Sequence, residues 1–417
     1  MNKIGCLAVS AAVLWTTVAR ADETIRWLHL EVNPAQLAIW NDAARSFTQT
    51  HPGVKIDLQY IENEAYKAKL TTTLQGRDKP SMFYSWAGGV LQAQVTAGVL
   101  RDITAETRGY VDQLNPTSIV PFTIDGKLYG IPQAITTVGF IYNKDLFKKA
   151  GVDADGIKTW DDLLGAVKTL KAAGITPLTA GGADKWQLAL YYTGLALREG
   201  GKPAIDAAMA NQGGGFKSET FVKAGQEFKR LVDLQPFQPG MLGQKYLPAV
   251  GLFADGKVAM SLVISTFYGQ QKSIAADKKG LSVDQLGWID FPTVPGGKGG
   301  PADTFGGIVG WAVTNAAPPP TVEFLKSLVS PEVQSKLAAG GFIVPVVRSA
   351  EAAITDPFIR HFADVLNHST YHQNFYDQAL GPAVGRTVND AVAELAGGSM
   401  TPEQAAAAIE AAWEQGN

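Results

Sequence analysis

Short apolar runs of period two alternate along this chain with stretches in which apolar residues recur every three or four positions. Ile25 to Leu30 is a β-rich run, and Asn33-Pro34 introduces a helical pattern with Leu37, Trp40, Ala44 and Phe47 on one face. His51-Pro52-Gly53 stops that helix. Val54, Ile56, Leu58 and Tyr60 then alternate with Lys55, Asp57 and Gln59, the period of a strand. Tyr66, Leu70 and Leu74 mark a second helix ended by Gly76, and Ser81 to Trp86 reads as a buried strand breaking at Gly88-Gly89 into a third helix. Strand, helix, strand, helix, strand in this order predicts a parallel α/β sheet.

The middle of the chain repeats the theme. Val138 to Tyr142 is strand-like, and Asn143-Lys144-Asp145 opens a helix closed by Gly151. Thr159 and Asp162 have the spacing of a capping box ahead of the apolar face Leu163, Val167 and Leu170. Ile175 to Thr179 reads as a strand, Trp186 to Leu197 as a helix, Ser218 to Leu234 as an amphipathic helix and Val258 to Ile264 as a central strand. Ile289 to Asp303, rich in Pro and Gly, is a loop or crossover. Gly306-Gly307 leads into a strand through Val313, Thr321 to Ala339 is helical, and Phe342 to Val347 is extended. The rest is mostly helical and ends in an Ala-rich helix from Pro402 to Trp413.

The start of the chain follows a different grammar. Lys3, the weakly apolar stretch Ile4 to Val18 and Ala19-Arg20-Ala21 have the three parts of a secretory signal peptide, residues 1–21. Export of the remainder to a periplasmic or extracytoplasmic location is the expectation. Cutting after Ala21 removes Cys6, the one cysteine, so no disulfide supports the fold and the core alone must hold it. A core of this length divides into two domains. The charge of −3 becomes −5 once Lys3 and Arg20 are gone, and no long basic run speaks for nucleic acid as a partner.

Motifs of catalysis are sparse. The sequence contains no P-loop, no Gly-x-Ser-x-Gly elbow and no His-Glu-x-x-His helix. His368 and His372 have the spacing of a helical metal pair but lack a third ligand nearby, so no metal and no cofactor is expected. A glycosidase requires two carboxylates facing each other across the substrate, and nothing singles out such a pair.

The run Thr137-Val138-Gly139-Phe140-Ile141-Tyr142-Asn143-Lys144-Asp145-Leu146-Phe147-Lys148-Lys149-Ala150-Gly151, followed by Thr159-Trp160-Asp161-Asp162-Leu163, resembles the extracellular solute-binding proteins of ABC sugar importers, the maltose-binding-protein-like family. Leu128-Tyr129-Gly130-Ile131-Pro132, Phe253 to Met260, Phe324-Leu325-Lys326 with Ser330-Pro331-Glu332, and Asn389-Asp390-Ala391-Val392 extend the resemblance in order over nearly the whole chain. It implies a two-lobed α/β fold, with residues 22–134 and 304–341 in the N-terminal lobe and 135–303 and 342–417 in the C-terminal lobe. A ligand would bind in the cleft between them, close the hinge and be handed to the permease subunits of a membrane importer by a monomeric protein that is not an enzyme.

The resemblance also implies ligand-binding residues. Ser85 and Trp86 sit where the third strand meets the cleft, although Trp86 could instead support the following helix. Glu31 follows the first strand, where it reads equally as an acceptor for hydroxyls and as a solvated acid. Trp186 opens a helix at a position where relatives stack a sugar ring. Phe267 stands where many relatives have Trp, and Tyr268 is its neighbouring alternative. Gly306 and Gly307 resemble a turn presenting backbone to the ligand, and Asp377 is where some relatives place a hydroxyl-binding acid. A mono- or oligosaccharide would stack its C–H faces on such rings and satisfy its hydroxyls on such acids. A glycerol-phosphate ester would require basic residues, of which none is among these positions, and a polyamine would require several converging acids. A secreted carbohydrate-active enzyme is the reading from a different class.

Overall fold

The computed structural model describes residues 23–416, so the expected leader at 1–21 lies outside the described residues. The first strands and helices follow the apolar pattern: β1 (Glu23–His29), α1 (Pro34–Thr50), β2 (Val54–Tyr60), α2 (Asn63–Gln75), β3 (Met82–Ser85) and α3 (Gly88–Thr96). The Asn33 side chain accepts from the Ala35 N–H at 3.0 Å, and Pro34 occupies the first turn, which together start α1. Its apolar face buries Trp40, Ala44 and Phe47. Trp27, Trp40 and Trp311 meet there at centroid separations of 5.1–5.3 Å.

Six strands form the first sheet. With β4 (Gly130–Ile135), β10 (Ile308–Val313) and β11 (Val344–Pro345), the order is β11-β4-β10-β3-β1-β2. The second sheet combines β5 (Val138–Asn143), β6 (Leu178–Thr179), β7 (Met260–Ile264) and β8 (Leu286–Asp290) in the order β8-β5-β7-β6. Parallel pairing holds for β1 with β2 and β3, and for β6 with β7. Every other pair in the two sheets is antiparallel, so both are mixed rather than parallel as the strand–helix alternation predicts. One cause is that β4 passes to β5 of the other sheet by the short crossing at Thr136-Thr137, with no covering helix between them. Around the second sheet lie α4 (Trp160–Ala172), opened by the Thr159/Asp162 capping box, and α5 (Trp186–Met209), which is broken at Gly201.

Each sheet has its own hydrophobic core, and the chain crosses between them along adjacent paths. Two of these crossings run side by side, one through Thr136 and Thr137 and one through Gly306 and Gly307, and a third follows Ala350. The Thr136 N–H donates to the Gly307 carbonyl at 2.9 Å, and its hydroxyl accepts from the Gly307 N–H at 2.8 Å. Gly306 is required for that approach: a Cβ there would lie 2.0 Å from the Thr136 carbonyl oxygen. Two segments pair differently from the expected lobe boundaries. β9 (Asp303–Gly306) bonds to β12 (Tyr371–Asn374) instead of to the first sheet. Val344-Pro345 bonds to β4, and Val346, Val347 and Ala350 lie in the first core. His368 and His372 do not share a helix, since His372 is in β12.

Among the described residues no helix is long and apolar enough to cross a membrane, and no cluster of His, Cys, Asp or Glu is fit to hold a metal ion.

Candidate functional site

A cavity of about 250 Å³ lies between the two sheets, walled by the strand ends of the first and by helix starts and loops of the second. The first wall grows out of β3. Trp86 follows its last residue, and the backbone then turns sharply through Ala87, buried at φ 58°, ψ −153°. A side-chain-bearing residue rarely adopts that conformation, and such strain concentrates at binding and catalytic sites. Tyr66 and Tyr84 meet the Trp86 indole edge-on at 5.6 and 5.2 Å, and the Tyr66 hydroxyl donates to the Tyr84 carbonyl. The indole is thereby fixed from behind.

The second wall is the start of α5. Lys185, at φ 60° and ψ −45°, turns the chain into Trp186, whose ring leans on Tyr246 at 4.6 Å. The Asp184 carboxylate accepts the Tyr246 N–H at 2.7 Å and holds that support in place.

Four carboxylates face this space: Glu31, Glu62, Asp184 and Asp377. Glu31 accepts the N–H groups of Val32 and Asn33 at 2.9 and 2.7 Å. Burial raises its pKa, and those two bonds only partly offset the rise. Glu62 caps α2 on the N–H groups of Glu64 and Ala65; burial would raise its pKa, but the two amides with Lys245 and Lys67 outweigh that and hold it low. Burial, with Glu31 nearby, pushes the Tyr84 hydroxyl well above the usual phenol range.

One cation enters. The Lys67 ammonium lies 3.5 Å from Asp377 and 3.3 Å from Glu64, and sits over both indoles, 5.7 Å from the Trp86 ring centre and 5.8 Å from that of Trp186. It therefore bridges the walls.

Of the residues expected from the sequence, Glu31, Trp86, Trp186 and Asp377 come together on this lining. The other five do not. Ser85 is buried and uses its hydroxyl to accept the Ala87 N–H. Phe267 is fully buried against Phe253, with no face left for a solute. Tyr268 stacks on Phe358 and donates its hydroxyl to Asp356, away from the cavity. Gly306 and Gly307 serve the crossing; a Cβ at Gly307 would lie 2.7 Å from the Phe375 ring. Tyr60, Glu62, Lys67, Tyr84, Asp184 and Tyr246 also line the cavity and escape sequence reasoning. Tyr60 alone carries a signal, as the aromatic end of a strand.

Two mixed α/β layers, each with its own core, joined by three crossings and enclosing a cleft define a two-lobed binding protein fold. Residues 32–335 match the family described as bacterial extracellular solute-binding proteins, and the chain belongs to that family. Its family is thus one of extracytoplasmic binding proteins. An ABC transporter extracellular-binding protein of Pyrococcus horikoshii is 23% identical over 367 residues, 85% of this chain and 79% of its own. Among solved structures, one from work on xylan utilization by Caldanaerobius polysaccharolyticus superposes with a TM-score of 0.85 at 27% identity, covering 93% of this chain and 99% of that one. A chitin oligosaccharide binding protein superposes with a TM-score of 0.85 at 24% identity, covering 95% and 99%.

Proposed function

We propose that this chain captures a mono- or oligosaccharide in the cleft and delivers it to the permease subunits of an ABC importer, as a monomeric exported protein without catalytic activity. The observation that carries the reading is the pair of indoles, Trp86 and Trp186, facing one cavity from opposite lobes with carboxylates between them. Indole faces take the C–H patches of a pyranose, and carboxylates accept its hydroxyls. The xylan-related and chitin-oligosaccharide-binding relatives support the substrate class. Binding rather than turnover is supported by the family, which is one of extracellular solute-binding proteins. By strand pairing, we assign residues 23–135 and 308–350 to the first lobe and 138–306 and 354–416 to the second. Export rests on the leader grammar of residues 1–21.

A second reading has its own observation. Four carboxylates against one lysine, whose ammonium already lies over both indoles, would also suit a polyamine. The same balance disfavours a phosphate ester. Thermal shift measurements over sugars, spermidine and glycerol 3-phosphate separate these. A sugar at a hundredfold excess over its Kd adds about 2.7 kcal/mol to the folded state and raises Tm by several degrees. A shift with spermidine and none with any sugar would transfer the site to the polyamine class.

A further inference from the structure

The cleft carries more negative charge than positive, and its cation has a particular seat. Among the described residues lining the cavity, Lys67 is the only lysine or arginine. It stands on the second turn of α2, with Glu64 of the same helix 3.3 Å from its ammonium and Asp377 of the other lobe at 3.5 Å. The Lys67 side chain is 24% exposed and that of Asp377 12%, so water and salt screen the cross-lobe pair poorly. The ring centres of Trp86 and Trp186 lie 5.7 and 5.8 Å away, one from each lobe. Two indoles and two carboxylates around one ammonium are the parts of a site for an organic cation. Here the chain supplies that cation itself.

The consequence for a solute depends on its charge. An amine would seek the same seat and would meet a like charge there at close range. A sugar asks for ring faces and for partners to its hydroxyls, and Lys67 can stay paired with Glu64 and Asp377 while it binds. Removing the lysine reverses this balance. Asp377 would keep the Asn389 amide at 3.3 Å but lose its cation, which leaves a buried charge uncompensated.

Resting on the carbohydrate reading, we infer that Lys67 determines the specificity of the cleft. Its ammonium fills the cation place, keeps amines out and reserves the site for uncharged solutes.

Thermal shift and calorimetry with n-butylammonium chloride, which copies the lysine side chain, and with spermidine test this, with sodium chloride at equal ionic strength as the control. The wild type binds at least one of xylotriose, chitotriose and maltotriose and responds to neither amine. Lys67→Ala binds both amines about tenfold or more tightly than the wild type, the worth of one ion pair and a cation–indole contact. Adding Asp377→Asn to Lys67→Ala removes that gain. Lys67→Met, which lacks the charge but keeps much of the bulk, gains spermidine too and guards against a folding defect in the alanine variant. Lys67→Arg, which keeps the charge, stays as unresponsive as the wild type. If a sugar binds but Lys67→Ala and Lys67→Met gain no amine, or Lys67→Arg gains as much as they do, the specificity role is overturned and the carbohydrate reading stands. If spermidine binds the wild type and no sugar does, the carbohydrate reading falls and the role of Lys67 with it.

Discussion

The two walls of the cleft present the same side chain on different foundations. Trp86 is carried by a strand end and backed by two tyrosines, one of them fully buried, so its position is part of the first core. Trp186 is carried by the first residue of a helix and backed by Tyr246, whose own position depends on one carboxylate in the preceding loop. Both are flanked by a residue other than glycine at positive φ, but Ala87 is buried in the core and Lys185 is exposed. The first wall is therefore built into the fold, and the second is mounted on it. Folding stability and ligand affinity should separate accordingly.

The largest effect is expected at Trp86. Trp86→Ala removes a half-buried ring that Tyr66 and Tyr84 support, and loses about 2–3 kcal/mol of folding stability together with most of the sugar affinity. Trp186→Ala weakens the same sugar about tenfold or more but costs less folding stability, about 1–2 kcal/mol, since its equally half-buried ring meets one aromatic neighbour, Tyr246, where Trp86 meets two. Urea unfolding beside calorimetry on both variants measures the split. Equal stability losses would erase the distinction between the walls.

Acid titration sharpens the comparison at Glu31 on the first wall. Burial raises the pKa of the folded-state carboxyl above that of the unfolded chain, so the folded protein takes up this proton first as pH falls. Its contribution to stability is complete below the ordinary glutamate range and is lost as pH rises through the raised value. Sugar binding has the opposite sign, because an ionised carboxylate is the better acceptor. As pH falls through that raised value the wild type should lose affinity a few-fold, and Glu31→Gln should bind more weakly with a flatter profile. A profile that Glu31→Gln leaves unchanged would assign the titration to another group.

Local physics was legible in the sequence, and long-range juxtaposition was not. The capping box of Thr159 and Asp162 forms as its spacing requires, and Trp40, Ala44 and Phe47 are buried as their period demands. The strand Leu286–Asp290 escaped because Gly287 weakens its apolar pattern. That glycine is needed for contact with a distant residue: a Cβ there would lie 2.1 Å from the Tyr142 ring. β9 and β12 pair over a gap in sequence that no local signal spans. In the cleft, Trp86 and Trp186 stand at element ends, where a strand or helix delivers its last or first side chain to a surface. Phe267 also begins a helix, yet its ring turns to Phe253 and the core. Lys67 lies on the face of α2 and carried no signal, because its significance depends on Asp377 and two indoles that only the folded chain brings together.

The smallest effect tests the foundation of the second wall directly. Lys185 holds φ 60° and ψ −45° with a side chain, a conformation costing on the order of 1–3 kcal/mol, which glycine would adopt at lower cost. Glycine also gives the unfolded chain more freedom, offsetting about 0.5–1 kcal/mol of the relief. The ion pair lost with the lysine, Lys185 to Asp390 at 2.6 Å, joins two well-exposed side chains and is worth little. Lys185→Gly should thus stabilise the protein by about 0.5–1 kcal/mol, whereas Lys185→Ala, which loses the same ion pair and keeps the strain, should not. The glycine variant should also bind sugar a few-fold more weakly, because the turn that aims Trp186 becomes one of several accessible to it. If both variants lower the urea midpoint alike, the backbone there is unstrained, and the second wall is as much a part of its lobe as the first.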